Sequence, residues 1–276
     1  MNMTEQGSSR HLTPLLYIIG LLAIFVSDYA QYVIPNLGTF TGMALVYGVP
    51  IVIVSFIWGR EILQRAFKNI LESVKYGLSM YGIFTGIGLM SSVAMLYILL
   101  AVDPSSLNLL HKPNPVLNIP EEFALIMVVL SILIVGPAEE YLFRGHIYGG
   151  LLKLVGTGHW LVLAFLSSIL FAAAHLYYAI VYGVASSIQF IDLIAFGMAM
   201  ATTFYLSGGN LLLPALLHGV YDATGFLGVA FQSNIGGILR EIMLLIGLVT
   251  AIIVFNRRRK VDEKPIFQID NDSAFR

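Results

Sequence analysis

About eight apolar runs of membrane-crossing length leave this chain few ways to fold. They cover roughly 14–34, 37–58, 76–100, 123–143, 160–178, 188–206, 211–231 and 238–255. A helix needs about 20 apolar residues to cross the hydrocarbon core of a bilayer, so each run is read as a spanning helix. The expected fold is an all-α integral membrane bundle of about eight transmembrane helices around an intramembrane cavity. Composition supports this: 58% of residues are hydrophobic and 11% charged, against about 25% charged in soluble domains. The first run is too long for a signal-peptide core and lacks a small-x-small cleavage site, which favours a membrane span.

Glycine- and proline-bearing breaks separate several runs: IPNLG at 34–38, GTG at 156–158, SGGN at 207–210 and NIGG at 234–237. The organisation expected is one polytopic domain over 1–255, its catalytic helices about 123–231, followed by a polar cytoplasmic tail at 256–276. With eight spans, twelve lysines and arginines fall on the side that holds both termini, and only Lys112 and Arg240 on the other. Positive residues concentrate in cytoplasmic loops, so both termini are expected in the cytoplasm. The basic, helix-periodic stretch 60–75 is expected to lie along the inner membrane surface.

Net charge is −1, which gives no electrostatic footprint for nucleic acid. The absence of cysteine removes thiolate ligands and thiol nucleophiles. Chemistry therefore rests on polar residues inside the apolar runs. These are Glu139, Glu140 and Arg144 in PAEEYLFR, His175 in FAAAH, and His218 with Asp222 in HGVYD. A charge at mid-bilayer costs about 2.5–3.5 kcal/mol on insertion scales, so such residues are rare there and usually functional.

Their spacing is informative. Glu140 and Arg144 lie four apart with the acid first, the favourable order for a helical ion pair. Adjacent helical residues point about 100° apart, so Glu139 faces a cavity while Arg144 holds Glu140. Pro137 should bend the helix just before the acids. Glu139 and His175 each lie 18 residues from the GTG turn, about 27 Å along a helix, so an antiparallel hairpin sets them at matching depth. His218 and Asp222 share one face of the seventh run. Asp28 and Asp192 are read as interfacial or structural.

Three chemistries could use these groups. Glu139, assisted by His175, could activate water for attack on a peptide carbonyl, with His218 stabilising the oxyanion. His175, His218 and Glu139 could instead hold Zn2+ with an open position for water. A proton or ion relay in a transporter is the third. No HExxH helix or GxGD aspartyl motif is present. The bland alternatives are interfacial charges ending a helix, a packing histidine and an interhelical hydrogen-bond pair.

The set EEYLFR, FAAAH and HGVYD resembles the three signatures of the CPBP family. That family comprises the CAAX prenyl endopeptidases of the second type and the bacterial Abi proteins of bacteriocin processing and self-immunity. The resemblance covers roughly Glu139–Asp222. It implies an intramembrane endopeptidase, glutamate-type or metallo-, acting among membrane lipids on a protein or peptide substrate that is prenylated in one branch. It implies Glu139 as base, His175 as its assistant, Glu140 and Arg144 as supports, and His218 with residue 222 as the oxyanion pocket. CAAX endopeptidases often carry Asn at that last position; Asp222, when ionised, cannot donate a hydrogen bond. A non-catalytic membrane scaffold or immunity protein that keeps the fold is the alternative.

Overall fold

In a computed structural model the protein is described over residues 4–34, 39–112, 114 and 116–260. Among these it is all helical, with no strand. Eight main helices follow in chain order: α1 (Thr4–Val33), α2 (Thr41–Ala66), α3 (Ile70–Val102), α4 (Glu121–Val155), α5 (Thr157–Ala173), α6 (Tyr177–Leu206), α7 (Leu212–Ala230) and α8 (Ile235–Lys260). Six of them, α2, α3, α4, α6, α7 and α8, are long and apolar enough to cross a membrane. The remaining two expected spans are shorter apolar stretches, Pro14–Ala30 and Thr157–Ala173. The expected tail begins inside α8, which continues to Lys260; residues 261–276 lie outside the described residues.

Three expectations about local structure are corrected. The stretch 60–75 is not one continuous helix: 60–66 complete α2, 67–69 turn, and 70–75 open α3. Asn69 makes that turn in the left-handed region, φ 49°, a conformation that asparagine tolerates better than most residues. The fourth run extends twelve residues beyond Phe143 to Val155. His175 does not sit within a helix, because α5 ends at Ala173 and a turn over 174–176 carries the imidazole.

Around Pro137 the structure shows a feature the sequence did not announce. The proline has no amide proton and its ring crowds the carbonyl of Leu133. The helix accommodates it by widening: Ser131–Val135 is π-helical, with the Gly136 amide donating to Ser131 O. A second π stretch, Tyr141–Tyr148, follows the glutamates. Such wide turns often accompany functional sites. Here they flank the short α-helical piece Gly136–Glu140 that bears both acids.

Helices α3 and α6 pack along each other, with α8 against α3, α5 against α6, and α7 against both α4 and α8. Residues 196–206 of α6 are all buried; a helix apolar and buried all round belongs at the centre of a bundle. On one end, two turns are tied together. Asn69 Nδ2 donates to Ser207 O at 3.1 Å, and the Leu211 amide to Ala66 O at 3.0 Å. Asn210 Oδ1 receives the Leu212 amide and Ser73 Oγ, while its Nδ2 donates to Lys68 O. Asn210 thus caps α7 and fixes the depth at which His218 enters the bundle.

Candidate active site

Backbone contact between α4 and α7 brings the acids to the imidazole. A Cβ built on Gly136 would fall 2.5 Å from the Gly219 nitrogen, and one on Gly219 would fall 2.6 Å from Ile132 Cα. Small residues let membrane helices approach this closely. Gly136 precedes Glu139 by three residues and Gly219 follows His218 directly, so the contact sets the spacing of both carboxylates from His218.

Glu140, fully buried, accepts two bonds on one oxygen. Arg144 Nη1 donates to its Oε1 at 2.9 Å, and His218 Nδ1 lies 2.7 Å from the same atom. Arg144 also donates through Nη2 to Gly197 O at 3.2 Å, which anchors it to α6. The ion pair expected from the i, i+4 spacing is present, and it doubles as the holder of His218. With Nδ1 committed to Glu140, His218 turns Nε2 toward Glu139 Oε2 at 3.5 Å and Asp222 Oδ2 at 3.6 Å.

Glu139 faces the other way. Its Oε1 accepts a 2.8 Å hydrogen bond from the Tyr47 hydroxyl, and its Oε2 has no hydrogen-bond partner among the described residues. Glu139, His175, His218 and Asp222 line one cavity of about 820 Å3. His175 holds Phe171 O with Nδ1 at 2.9 Å, which leaves Nε2 as the nitrogen free to face the cavity. Phe171 explains the aromatic one turn before His175. Its ring packs against His175 at 4.8 Å and His218 at 5.6 Å, and the Arg144 guanidinium stacks over it at 4.7 Å. One apolar plate thereby spaces three polar groups and lowers the local dielectric around them.

All six candidate residues from the sequence therefore gather at one place, four on the cavity wall and Glu140 with Arg144 directly behind it. Sequence reasoning missed Tyr47, Tyr221 and Arg240 and assigned Asp28 and Asp192 elsewhere, although all five line the same cavity. Asp192 accepts from Ser92 Oγ at 2.7 Å. Arg240 stands on α8 over the ring of Tyr221. A pattern of lone ionisable groups inside apolar runs would have pointed to Asp28, Asp192 and Arg240.

The zinc set expected from the sequence, His175, His218 and Glu139, is not drawn together as a ligand group in this structure. Among the described residues no group of three or more His, Asp or Glu is disposed to hold a metal ion.

Residues 121–224 match a family model described as type II CAAX prenyl endopeptidase Rce1-like. The matched segment starts with α4 and ends two residues past Asp222, so it holds all three polar signatures. No curated protein and no solved structure matches the chain. Together with six membrane-length helices, the match makes this an integral, multi-pass membrane protein.

Proposed function

We propose, from a segment 121–224 that matches the Rce1-like type II CAAX prenyl endopeptidase model, that the chain hydrolyses a peptide bond inside the membrane with Glu139 as general base. The carrying observation is Glu139 Oε2: buried, without a hydrogen-bond partner among the described residues, and on the wall of a cavity shared with two imidazoles. Tyr47 holds Oε1, so Oε2 is the oxygen that takes the proton of a water molecule. His175, fixed through Nδ1, orients that water with Nε2. The hydroxide attacks the carbonyl carbon, and His218 Nε2 stabilises the oxyanion. The amide nitrogen leaves with the proton Glu139 collected. Glu140 and Arg144 act through His218 and are positioning residues. Asp222 lies against the same His218 nitrogen and orients it.

Apolar residues such as Met43, Val46, Leu117 and Met127 share the cavity wall. They suit a substrate with a greasy segment, a protein or peptide that is prenylated where it follows the family's description. The membrane domain, with α4 to α7 as its catalytic part, is oriented with both termini in the cytoplasm, on the strength of the lysine and arginine distribution.

The test is cleavage of a membrane-delivered peptide reporter by purified protein in nanodiscs. Glu139→Gln keeps the shape and the Tyr47 contact but cannot take a proton, and its rate should fall by about 10²–10⁴-fold, the usual contribution of a general base. Undiminished cleavage by a folded Glu139→Gln protein would refute the assignment.

A further inference from the structure

Among the described residues lining the cavity, Arg240 is the only lysine or arginine, and the hydrolytic steps leave it unused. It stands on α8, outside the matched segment. Its guanidinium carbon lies over the Tyr221 ring, 4.3 Å from the centroid. Nε donates to Thr224 Oγ1 at 2.7 Å, and Nη2 reaches Tyr221 O only at 3.5 Å. Gly225 leaves the space it needs, since a Cβ there would meet Nη2 at 3.2 Å. No carboxylate among the described residues lies within 4 Å of it. Nη1 has no hydrogen-bond partner among the described residues.

A guanidinium braced on one side, set over an aromatic ring, and with Asp192 and Asp222 in the same cavity but no carboxylate within 4 Å keeps Nη1 available to an anion from outside the protein. Resting on the peptidase reading, we propose that Arg240 is the subsite for the substrate's free C-terminal carboxylate. The surroundings favour this over a free anion. Asp28, Glu139, Asp192 and Asp222 line the same cavity, so a small anion would enter against four carboxylates. A carboxylate at the end of a peptide already held by its apolar side chains is delivered to the guanidinium regardless. The subsite is also close to the chemistry. Tyr221 and Thr224, which hold the guanidinium, follow His218 by three and six residues, about 4.5 and 9 Å along α7. A short extended segment bridges that span.

Binding to the Glu139→Gln protein tests the subsite without relying on turnover. The probes are a dansylated apolar octapeptide with a free C-terminal carboxylate, the same peptide as its C-terminal amide, and dioctanoyl phosphatidic acid. The acid should bind at least about tenfold tighter than the amide. In Glu139→Gln/Arg240→Gln the preference should fall below about twofold, with Arg240→Lys between the two because it keeps the charge and loses the fork. Equal binding of acid and amide with Arg240 present, including binding of neither, overturns the proposal. So does a preference that survives Arg240→Gln. Tight, Arg240-dependent binding of phosphatidic acid without a carboxylate preference would assign the site to a lipid headgroup and also overturn it. Failure of the peptidase reading shows separately, as an uncleaved reporter with Glu139 intact.

Discussion

Glu139 owes its role to the way its two oxygens are divided. One is tied to the Tyr47 hydroxyl at 2.8 Å and the other meets only the cavity and the His218 ring. Tyr47→Phe keeps the ring and deletes that bond. A hydrogen bond to a charged group contributes about 1.5–3 kcal/mol. Tyr47→Phe should therefore lower kcat by roughly 10–100-fold with KM nearly unchanged, as steady-state kinetics would read it; an unaltered kcat would remove Tyr47 from the site. Tyr47 was not legible in the sequence, because a tyrosine in an apolar helix is ordinary and its partner lies 92 residues away. Glu140 and Arg144 were legible because their i, i+4 spacing encodes contact locally. Glu139 and His175 were legible as lone ionisable groups in apolar runs; their equal distance from the GTG turn assumed two unbroken helical arms, and the π stretch at 141–148 and the turn at 174–176 interrupt both. Arg240 stands near the start of the last apolar run, where it was counted only as one of two basic residues on the side away from the termini.

At the scale of elements, the site depends on α4 meeting α7 at backbone contact. Adding a methyl at Gly219 would drive a Cβ to 2.6 Å from Ile132 Cα and Ser131 O, atoms of a main chain that cannot turn aside as a side chain can. Alanine favours a helix over glycine by about 0.5–1 kcal/mol, but overpacking costs about 1–3 kcal/mol, so the clash decides the sign. Gly219→Ala should destabilise by about that amount in thermal unfolding and slow cleavage, while Gly158→Ala, which meets nothing within 4 Å, should change neither. Equal behaviour of the two would show that the contact does not set the site. The apolar runs located the eight main helices, six of them of membrane-crossing length, but not their ends: two are shorter than expected and α4 and α6 run well past the apolar runs. Their details escaped because hydropathy does not register how the backbone absorbs Pro137, or that α5 stops short of His175. The stretch 60–75 misled for a related reason: its charges mark two helix ends, and periodicity continues across the Asn69 turn.

For the whole molecule, the account requires separate apolar helices to enclose one wet cavity, because water is both the nucleophile and the only tolerable surrounding for the polar groups not paired to one another. Helix α4 offers an internal comparison. Val135 lines the cavity, whereas Leu133, two residues earlier and about 3 Å away along the axis, is 68% exposed on the outer surface. A chain with no cysteine makes the comparison direct. Single cysteines at Val135→Cys and Leu133→Cys, in nanodiscs, are to be treated with a charged, membrane-impermeant methanethiosulfonate, which reacts with thiolate in contact with water. The cavity account predicts rapid labelling at 135 and almost none at 133. Labelling at 133 as fast as at 135, or none at 135, would contradict it.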